Sequence, residues 1–389
     1  MQQQEKNFIE LLRSAIQPGR VPTLVEPDYA QLLSLGEKHA VSSLFYPALK
    51  RVLPFQDPLL RELKKRSFSA ATRESLQAKE LEQILSAFEE AEISILPLKG
   101  CVIKYLYPNP ELRFMSDIDL LIPSSKQGSA RQIMESLGHS YRKVDAGDTD
   151  VYVSPTGMNY EIHLTLEGEG FNETSSAFSG RLLELSHPKE GFSFVRELPV
   201  EEHFTYLLCH FVKHFIYGGI GIRQLIDVHI CEKKWKLDPE KLDPLLEQLD
   251  LSAFRQKLKQ LCEHWFEDSP GDEASEALGA YILTSGVFGT EEQRATDRIL
   301  INGKGSKYFW SRLFPPFKTM ADYFPILRKL PFLLPFMWIW RALRAVLFRR
   351  SKLSSELSAI GNTNDQALQD RLAFYNDCGL SVYNIDIQN

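Results

Sequence analysis

The hexapeptide Asp-Ile-Asp-Leu-Leu-Ile at positions 117–122 constrains the fold more than any other segment of this chain. Carboxylates that alternate with bulky apolar residues predict a β-strand, and Pro123 marks its end. Side chains two residues apart on a strand share a face, so Asp117 and Asp119 point the same way. Two like charges held this close are costly unless a cation lies between them. The segment therefore predicts a buried strand whose polar face holds a hard divalent cation, with Mg²⁺ as the simplest choice.

A second segment repeats this alternation further along the chain. Glu161 and His163 share one face of residues 160–164, while the Tyr, Ile and Leu residues between and around them face the core. A third carboxylate on a neighbouring strand would complete a site for one or two metal ions. Two interpretations of His163 stay open, because it could bind the metal or could orient Glu161.

A lysine and a glycine lie upstream of both strands. Lys99-Gly100 follows a short apolar strand over residues 93–98 and precedes one or two helical turns over 101–107. Glycine at such a junction lets backbone N–H groups approach a phosphate closely, as they do at the N-termini of helices.

The order strand-Lys-Gly-helix, strand-Asp-x-Asp and strand-Glu resembles the nucleotidyltransferase superfamily of the DNA polymerase β type. More specifically, the segments LPLKG, LRFMSDIDLLIP and YEIHLTL are similar to a family of uncharacterised bacterial nucleotidyltransferases, as are the helical segments LCHFVKHF and IRQLIDVHI. The resemblance covers roughly residues 25–240. An isolated Asp-x-Asp is a weak signal, whereas the full set in order on its expected elements is much stronger.

The resemblance implies a reaction of the EC 2.7.7 type. A nucleoside triphosphate would bind with Mg²⁺ or Mn²⁺ and pass a nucleotidyl group to an acceptor with loss of pyrophosphate. Asp117 and Asp119 would hold two metal ions, and Glu161 would hold the catalytic ion and help to activate the acceptor. Charge neutralisation would supply most of the remaining catalysis, as in other phosphoryl transfers.

The same resemblance implies a set of phosphate contacts. Gly100 would place its backbone amide against the β- and γ-phosphates. The further candidates for nucleotide or phosphate binding are Lys99, Cys101, Lys104 and Arg113. Cys101 departs from the Ser or Gly that usually follows this glycine in the superfamily, which leaves the contact to backbone amides. The departure removes no predicted metal ligand.

The whole chain is expected to have an α+β fold, in which helices flank a small mixed sheet of about four strands. The expected helices span 7–90, 124–137, 202–217 and 223–235, with further strands over 150–153 and 159–166 and a loop over 168–180. The predicted units are an N-terminal helical region (1–90), a nucleotidyltransferase core (91–168), a helical substrate- or nucleotide-binding region (169–300) and a basic, aromatic C-terminal helical region (301–389).

Two pairs of polar residues share helix faces in the third unit. His210 and His214 lie four residues apart, a zinc-like spacing that lacks the Glu of HExxH. A structural role or a nucleotide contact is favoured over a metal site. Arg223 and Asp227 are also four apart and are expected to form an ion pair along the helix, although a substrate-binding role stays open.

Charge is distributed unevenly along the chain. The formal net charge is −6, yet residues 304–352 hold 11 Lys or Arg and one acid, which leaves −16 for the rest. Three of the five tryptophans lie in this basic segment. Residues 331–352 therefore have two interpretations: a helix packed on its own domain, or an interfacial helix in peripheral contact with an anionic membrane. The overall acidic balance argues against a DNA partner.

The expected location is the cytoplasm, with or without peripheral membrane contact. The N-terminus shows no signal peptide, the five cysteines form no CxxC motif, and prolines and arginines interrupt the most apolar stretch. The acceptor stays open as a small molecule, a glycan or a protein. Two rival functions are a degenerate family member that binds nucleotide or a partner without chemistry, and a toxin-type nucleotidyltransferase that modifies a protein or tRNA.

Overall fold

The computed structural model describes residues 1–143, 148–287, 289–290, 293–294, 296–297, 300, 314–317, 320–321, 324–348 and 365–380. The parts of the predicted C-terminal region 301–389 that fall elsewhere lie outside the described residues. Among the described helices, no helix is long and apolar enough to cross a membrane.

Helices make up most of the described chain. The α-helices are α1 (Gln3–Ile16), α2 (Tyr29–Lys38), α3 (Phe45–Leu49), α4 (Pro58–Glu90), α5 (Gly100–Ile103), α6 (Gln127–Ser136), α7 (Glu173–Gly180), α8 (Leu182–Leu185), α9 (Val200–Ile216), α10 (Ile222–Lys234), α11 (Pro239–Gln248), α12 (Ser252–Phe266), α13 (Glu273–Ser285), α14 (Leu334–Phe348) and α15 (Asp365–Asp377). The strands are β1 (Leu96–Pro97), β2 (Asp117–Leu121), β3 (Ser140–Lys143), β4 (Thr149–Val153), β5 (Asn159–His163), β6 (His187–Pro188) and β7 (Arg196–Glu197).

A small mixed sheet lies in the middle of the chain, as expected for the α+β fold. Its strand order is β1-β2-β5-β4-β3, and β6 and β7 form a separate two-stranded ribbon. Strand β2 runs parallel to β5, whereas the other neighbours are antiparallel. The sheet has five strands where about four were expected. The additional strand is β3, which pairs with β4 at one edge. Its sequence shows no clear alternation, so it was not predicted.

Local capping explains where two of the helices begin. Helix α4 starts at Pro58, and the Asp57 carboxylate accepts from the backbone N–H of Leu59 at 2.8 Å. Helix α7 starts after Asn172, whose side chain accepts from the Ser175 N–H at 2.8 Å in a capping box. The prediction of a loop over 168–180 was therefore wrong for its second half, since the capping signal in a Gly- and Ser-rich segment was overlooked.

Two main hydrophobic clusters form the core of the described chain. One cluster contains residues of helices α1 to α3 and of helices α9 to α13. The helices that precede the sheet in the sequence and those that follow it therefore share one core. The other cluster packs α4 and α6 against the sheet. The buried His39 links the two ends of the helical core, because its Nδ1 accepts from the Ile222 N–H and its Nε2 lies 3.2 Å from the Leu283 carbonyl. The division into four units stays a prediction.

Buried histidines should make the fold less stable as the pH falls. Burial lowers the pKa of His203 from 6.5 to about 4. In that interval the unfolded chain binds a proton and the native chain does not, so stability present above pH 6.5 is lost towards pH 4. Between pH 7 and pH 5, we expect the free energy of unfolding to fall by about 1–2 kcal/mol less in His203→Phe than in the wild type. This substitution keeps a ring against Trp235. Urea unfolding at the two pH values measures it, and an unchanged pH dependence would contradict the assignment.

Candidate functional site

The register of β2 against β5 brings the predicted carboxylates together. Asp119 lies opposite Glu161 in the parallel pair, and His163 follows two residues later on the same face. His163 Nε2 lies 3.0 Å from Asp119 Oδ1, while its Nδ1 lies 3.1 Å from the Thr149 hydroxyl. One ligand atom from each of Asp119, Glu161 and His163 falls within 4.8 Å of the others. Asp117 lies two residues before Asp119 on β2 and accepts from the Ser116 hydroxyl at 2.9 Å.

Lys99 supplies the positive charge in the middle of this acidic face. Its backbone adopts φ +52° directly before α5. Its Nζ lies 3.1 Å from Asp119 Oδ1 and 3.4 Å from Glu169 Oε2. Burial opposes the charged form of Lys99, but these carboxylates outweigh it and hold the pKa of Lys99 well above its ordinary value. In return, Lys99 and His163 hold the pKa of Asp119 below its usual range despite burial, so both groups are ionised.

Glu169 is a member of the site that the sequence analysis missed. It ends a 3₁₀ turn, Glu167–Glu169, against helix α9. Its carboxylate lies 2.9 Å from His210 Nδ1 and 2.9 Å from Lys213 Nζ, in addition to Lys99. These partners hold its pKa far below the usual range although burial acts the other way. Burial and the Lys99 charge lower the pKa of His210 to about 3, so His210 is neutral and donates from Nδ1.

Glu161 lacks such a strong counter-charge among the described residues. Among the described residues, the basic nitrogen that lies close to it is His163 Nε2, 4.0 Å from Glu161 Oε2. Burial and the charges of Asp119 and Asp117 raise its pKa above the ordinary value for a glutamate. A divalent cation held by carboxylate oxygens would relieve this repulsion, so the donor set fits Mg²⁺ or Mn²⁺. Asp119 and Glu161 are the residues best placed to hold it, with Asp117 and His163 next to them.

Gly100 is required by the side chains that lie across it. A Cβ at Gly100 would fall against the Arg113 guanidinium and within 2.7 Å of Met115 Sδ. Arg113 is held there by Asp227 of α10, with Nη2 2.7 Å from Oδ2, and Asp227 also accepts from the Tyr107 hydroxyl at 2.7 Å. Glycine at position 100 therefore leaves space for the buried Arg113 side chain.

The predicted ion pair between Arg223 and Asp227 was wrong in its partner. Asp227 pairs with Arg113, which is far away in sequence, and Arg223 instead donates from Nη1 to the Phe114 carbonyl at 3.0 Å. The i, i+4 spacing made the helical pair plausible. Asp227 instead supplies the counter-charge for the buried Arg113 guanidinium, because an unpaired buried charge is costly.

Two predicted phosphate contacts lie outside the cleft. Lys104 has a side chain that is 1% exposed, and its Nζ lies 3.1 Å from Glu74 Oε1 on α4. Cys101 packs in the sheet core, and its thiol donates to the Leu98 carbonyl at 2.9 Å. Burial raises the pKa of Cys101 to about 12, which leaves a neutral thiol. Cys101 is therefore part of the core, and Lys104 pairs with α4, so neither side chain lines the cleft.

A cleft of about 440 Å³ opens over this face of the sheet, between the sheet and helices α9 and α10. The predicted residues that line it are Lys99, Gly100, Arg113, Asp117, Asp119, Glu161, His163, His210, His214, Arg223 and Asp227. Glu169 and Lys213 line it too. His214 stacks edge-on against His210 at 4.4 Å between ring centroids, and burial lowers its pKa to about 4. A metal site at this histidine pair is not formed among the described residues.

Removal of the Glu169 charge should destabilise the fold, because Lys99 and Lys213 would lose a shared partner. We expect Glu169→Gln to lower the free energy of unfolding by about 2–3 kcal/mol at pH 7. The matched control is Glu167→Gln, an exposed glutamate on the same turn, with an expected change within about 0.5 kcal/mol. Denaturant unfolding measures both. Equal effects of the two substitutions would show that the Glu169 ion pairs carry no stability.

The chain also has similarities to known proteins. No curated protein matches the chain. Among solved structures, the chain is similar to the solution structure of the antibiotic-resistance factor ANT(2'')-Ia at 16% identity and a TM-score of 0.35, over 50% of this chain and 100% of that one. A likeness this weak carries no argument here. A family model described as uncharacterised nucleotidyltransferase matches residues 26–267, which include the sheet and helices α9 and α10. The chain therefore belongs to this family of uncharacterised nucleotidyltransferases.

Proposed function

We propose that the protein transfers a nucleotidyl group from a nucleoside triphosphate to an acceptor, with release of pyrophosphate and dependence on Mg²⁺ or Mn²⁺. One observation carries the proposal: the parallel pairing of β2 and β5 sets Asp119 beside Glu161 at the floor of the cleft. Family membership supports the class of reaction. The nucleoside triphosphate donor and the acceptor are proposed and do not follow from family membership.

The cleft has the cations that a triphosphate needs. Lys99, Arg113, Lys213 and Arg223 line it from the sheet side and the helix side. The Nε of Arg223 is buried without a hydrogen-bond partner in the described part of the chain. A buried guanidinium nitrogen with no acceptor is costly, and a phosphate oxygen would satisfy it. We therefore propose Arg223 and Lys213 as phosphate contacts, beside the sequence-predicted Lys99, Gly100 and Arg113.

The carboxylates would hold two divalent ions, as the fold family implies, with Asp117, Asp119 and Glu161 as ligands. Such ions neutralise the phosphate charge and stabilise the attacking and leaving oxygens of an in-line displacement. The chain's own residues have further roles. His163 fixes the Asp119 carboxylate through Nε2. Glu161 would also help to activate an acceptor hydroxyl by accepting its proton.

The acceptor is proposed to be a small molecule, a glycan or a protein, and no DNA partner is proposed. Specificity for the acceptor resides in loops and helices around such sites rather than in the metal ligands. We propose the cytoplasm as the place of reaction.

A rival proposal is a degenerate member that binds nucleotide without chemistry. The observation that favours it is the Lys99 ammonium, 3.1 Å from Asp119 Oδ1, because an ammonium on this oxygen competes with a metal ion. Pyrophosphate release separates the two functions. Release over hours from a bound nucleoside triphosphate, across sugar, small-alcohol and peptide hydroxyl acceptors, supports the enzyme. Tight binding with no release under any of these conditions supports the rival.

Loss of the carboxylates should abolish metal-dependent nucleotide binding. We expect Asp117→Asn/Asp119→Asn to lose the rise in melting temperature that one nucleoside triphosphate with Mg²⁺ or Mn²⁺ gives to the wild type. Turnover should fall about 100-fold or more, since each lost ligand weakens stabilisation of the phosphoryl charge. A thermal-shift panel of the four nucleoside triphosphates measures binding and chooses the donor.

The control is Glu135→Gln, an exposed glutamate on α6 behind the same sheet, which should behave as the wild type. Asp119 is ion-paired with Lys99, so the double variant could lose stability for that reason alone. The single variant Asp117→Asn removes a half-exposed carboxylate whose recorded hydrogen bond comes from Ser116, and it keeps that ion pair. Unchanged binding and turnover in both variants would overturn the proposed site.

A further inference from the structure

Helix α14 near the C-terminus packs one face onto the protein. Met337 and Trp338 contact a small buried cluster that includes Met320 and Leu327. The Trp338 indole N–H donates to the Pro315 carbonyl at 3.0 Å. Its ring also meets Phe314 edge-on, with centroids 5.1 Å apart. These contacts fix the rotation of α14 about its axis, so the direction of its opposite face is determined.

The opposite face of α14 is apolar and turned to solvent. Phe336, Ile339 and Trp340 are 64%, 59% and 57% exposed, and Phe332, on the 3₁₀ turn just before the helix, is 68% exposed. Spacings of three and four residues align these side chains on one stripe. Single exposed apolar residues are ordinary, whereas four large ones in one stripe form a patch of the kind that marks a binding surface.

The charged residues around this stripe indicate what kind of surface it binds. Arg344 continues the row of Phe336 and Trp340 by one turn and is exposed, as is Lys329. The sequence segment around them, 304–352, holds 11 basic residues and one acid. A second copy of the chain would bring two such basic segments together, which electrostatic repulsion opposes. A surface that is both negatively charged and apolar just beneath is an anionic lipid bilayer.

We propose that the stripe formed by Phe332, Phe336, Ile339 and Trp340 lies in the headgroup region of an anionic membrane, with α14 parallel to the bilayer plane. Tryptophan and phenylalanine rings insert at that depth, while lysine and arginine remain with the lipid phosphates. The helix does not cross the bilayer, in keeping with its length and its arginines. The inference rests on α14 and the basic segment around it, and it does not depend on the proposed reaction.

Vesicle co-sedimentation of the full chain tests this surface. Vesicles of phosphatidylcholine alone are compared with vesicles that contain about 30% phosphatidylglycerol, at low and at high salt. The wild type should bind the anionic vesicles at least about tenfold more tightly than the neutral ones, and added salt should weaken the binding. The variant Phe336→Ser/Trp340→Ser should lose at least about tenfold in affinity for the anionic vesicles.

The matched control is Phe55→Ser/Phe68→Ser, which removes two aromatic side chains that are 69% and 76% exposed elsewhere on the surface. It should bind as the wild type does. Trp340→Phe should keep the affinity but lose most of the blue shift in tryptophan emission on binding, since the other proposed membrane contacts carry no indole. Equal binding to neutral and anionic vesicles, or full binding by the Phe336→Ser/Trp340→Ser variant, would overturn the proposal. So would a dimer in light scattering that this variant converts to a monomer, because the occupant would then be a second copy.

Discussion

The Lys99 ammonium is the counter-ion on which the acidic end of the sheet depends. It lies between Asp119 and Glu169 with a side chain that is only 13% exposed. Buried carboxylates without a cation would take up protons or destabilise the fold, because desolvated charge is costly. The backbone accepts a left-handed conformation at Lys99 to place this charge, and Gly100 next to it leaves room for the Arg113 guanidinium. Asp119 and Glu169 are therefore held ionised.

Buried ion pairs also connect the sheet to the two helices that close the cleft. Glu169 joins Lys99 to His210 and Lys213 of α9, and Arg113 joins the approach to β2 to Asp227 of α10. The helical core and the sheet core are separate hydrophobic clusters. Charged contacts therefore join the sheet to both helices, beside a smaller apolar cluster in which Tyr206 of α9 packs with Leu96 and Leu121 of the sheet.

The sequence predicts the α+β fold and the two polar strands well, because polar and apolar residues alternate at 117–120 and at 160–164, which indicates the strand faces directly. It cannot report register, so the pairing of Asp119 with Glu161 appears only in the structure. Glu169 lies on a short turn without any periodic pattern, and no sequence signal could have identified it. The partner of Asp227 was mistaken because local spacing shows neighbours along a helix and not contacts across the fold. The roles of the site residues stay predictions.

Asp119 and Glu161 are proposed to hold a divalent ion beside a bound triphosphate. A crystal structure with Mn²⁺ and a nonhydrolysable nucleoside triphosphate tests it most directly through the anomalous signal of manganese. We expect a manganese peak in contact with carboxylate oxygens of Asp119 and Glu161, at about 2.0–2.2 Å. We also expect the Lys99 ammonium to have moved from Asp119 towards a phosphate or Glu169. A nucleotide bound with Lys99 still on Asp119, and with no manganese at these carboxylates, would contradict it.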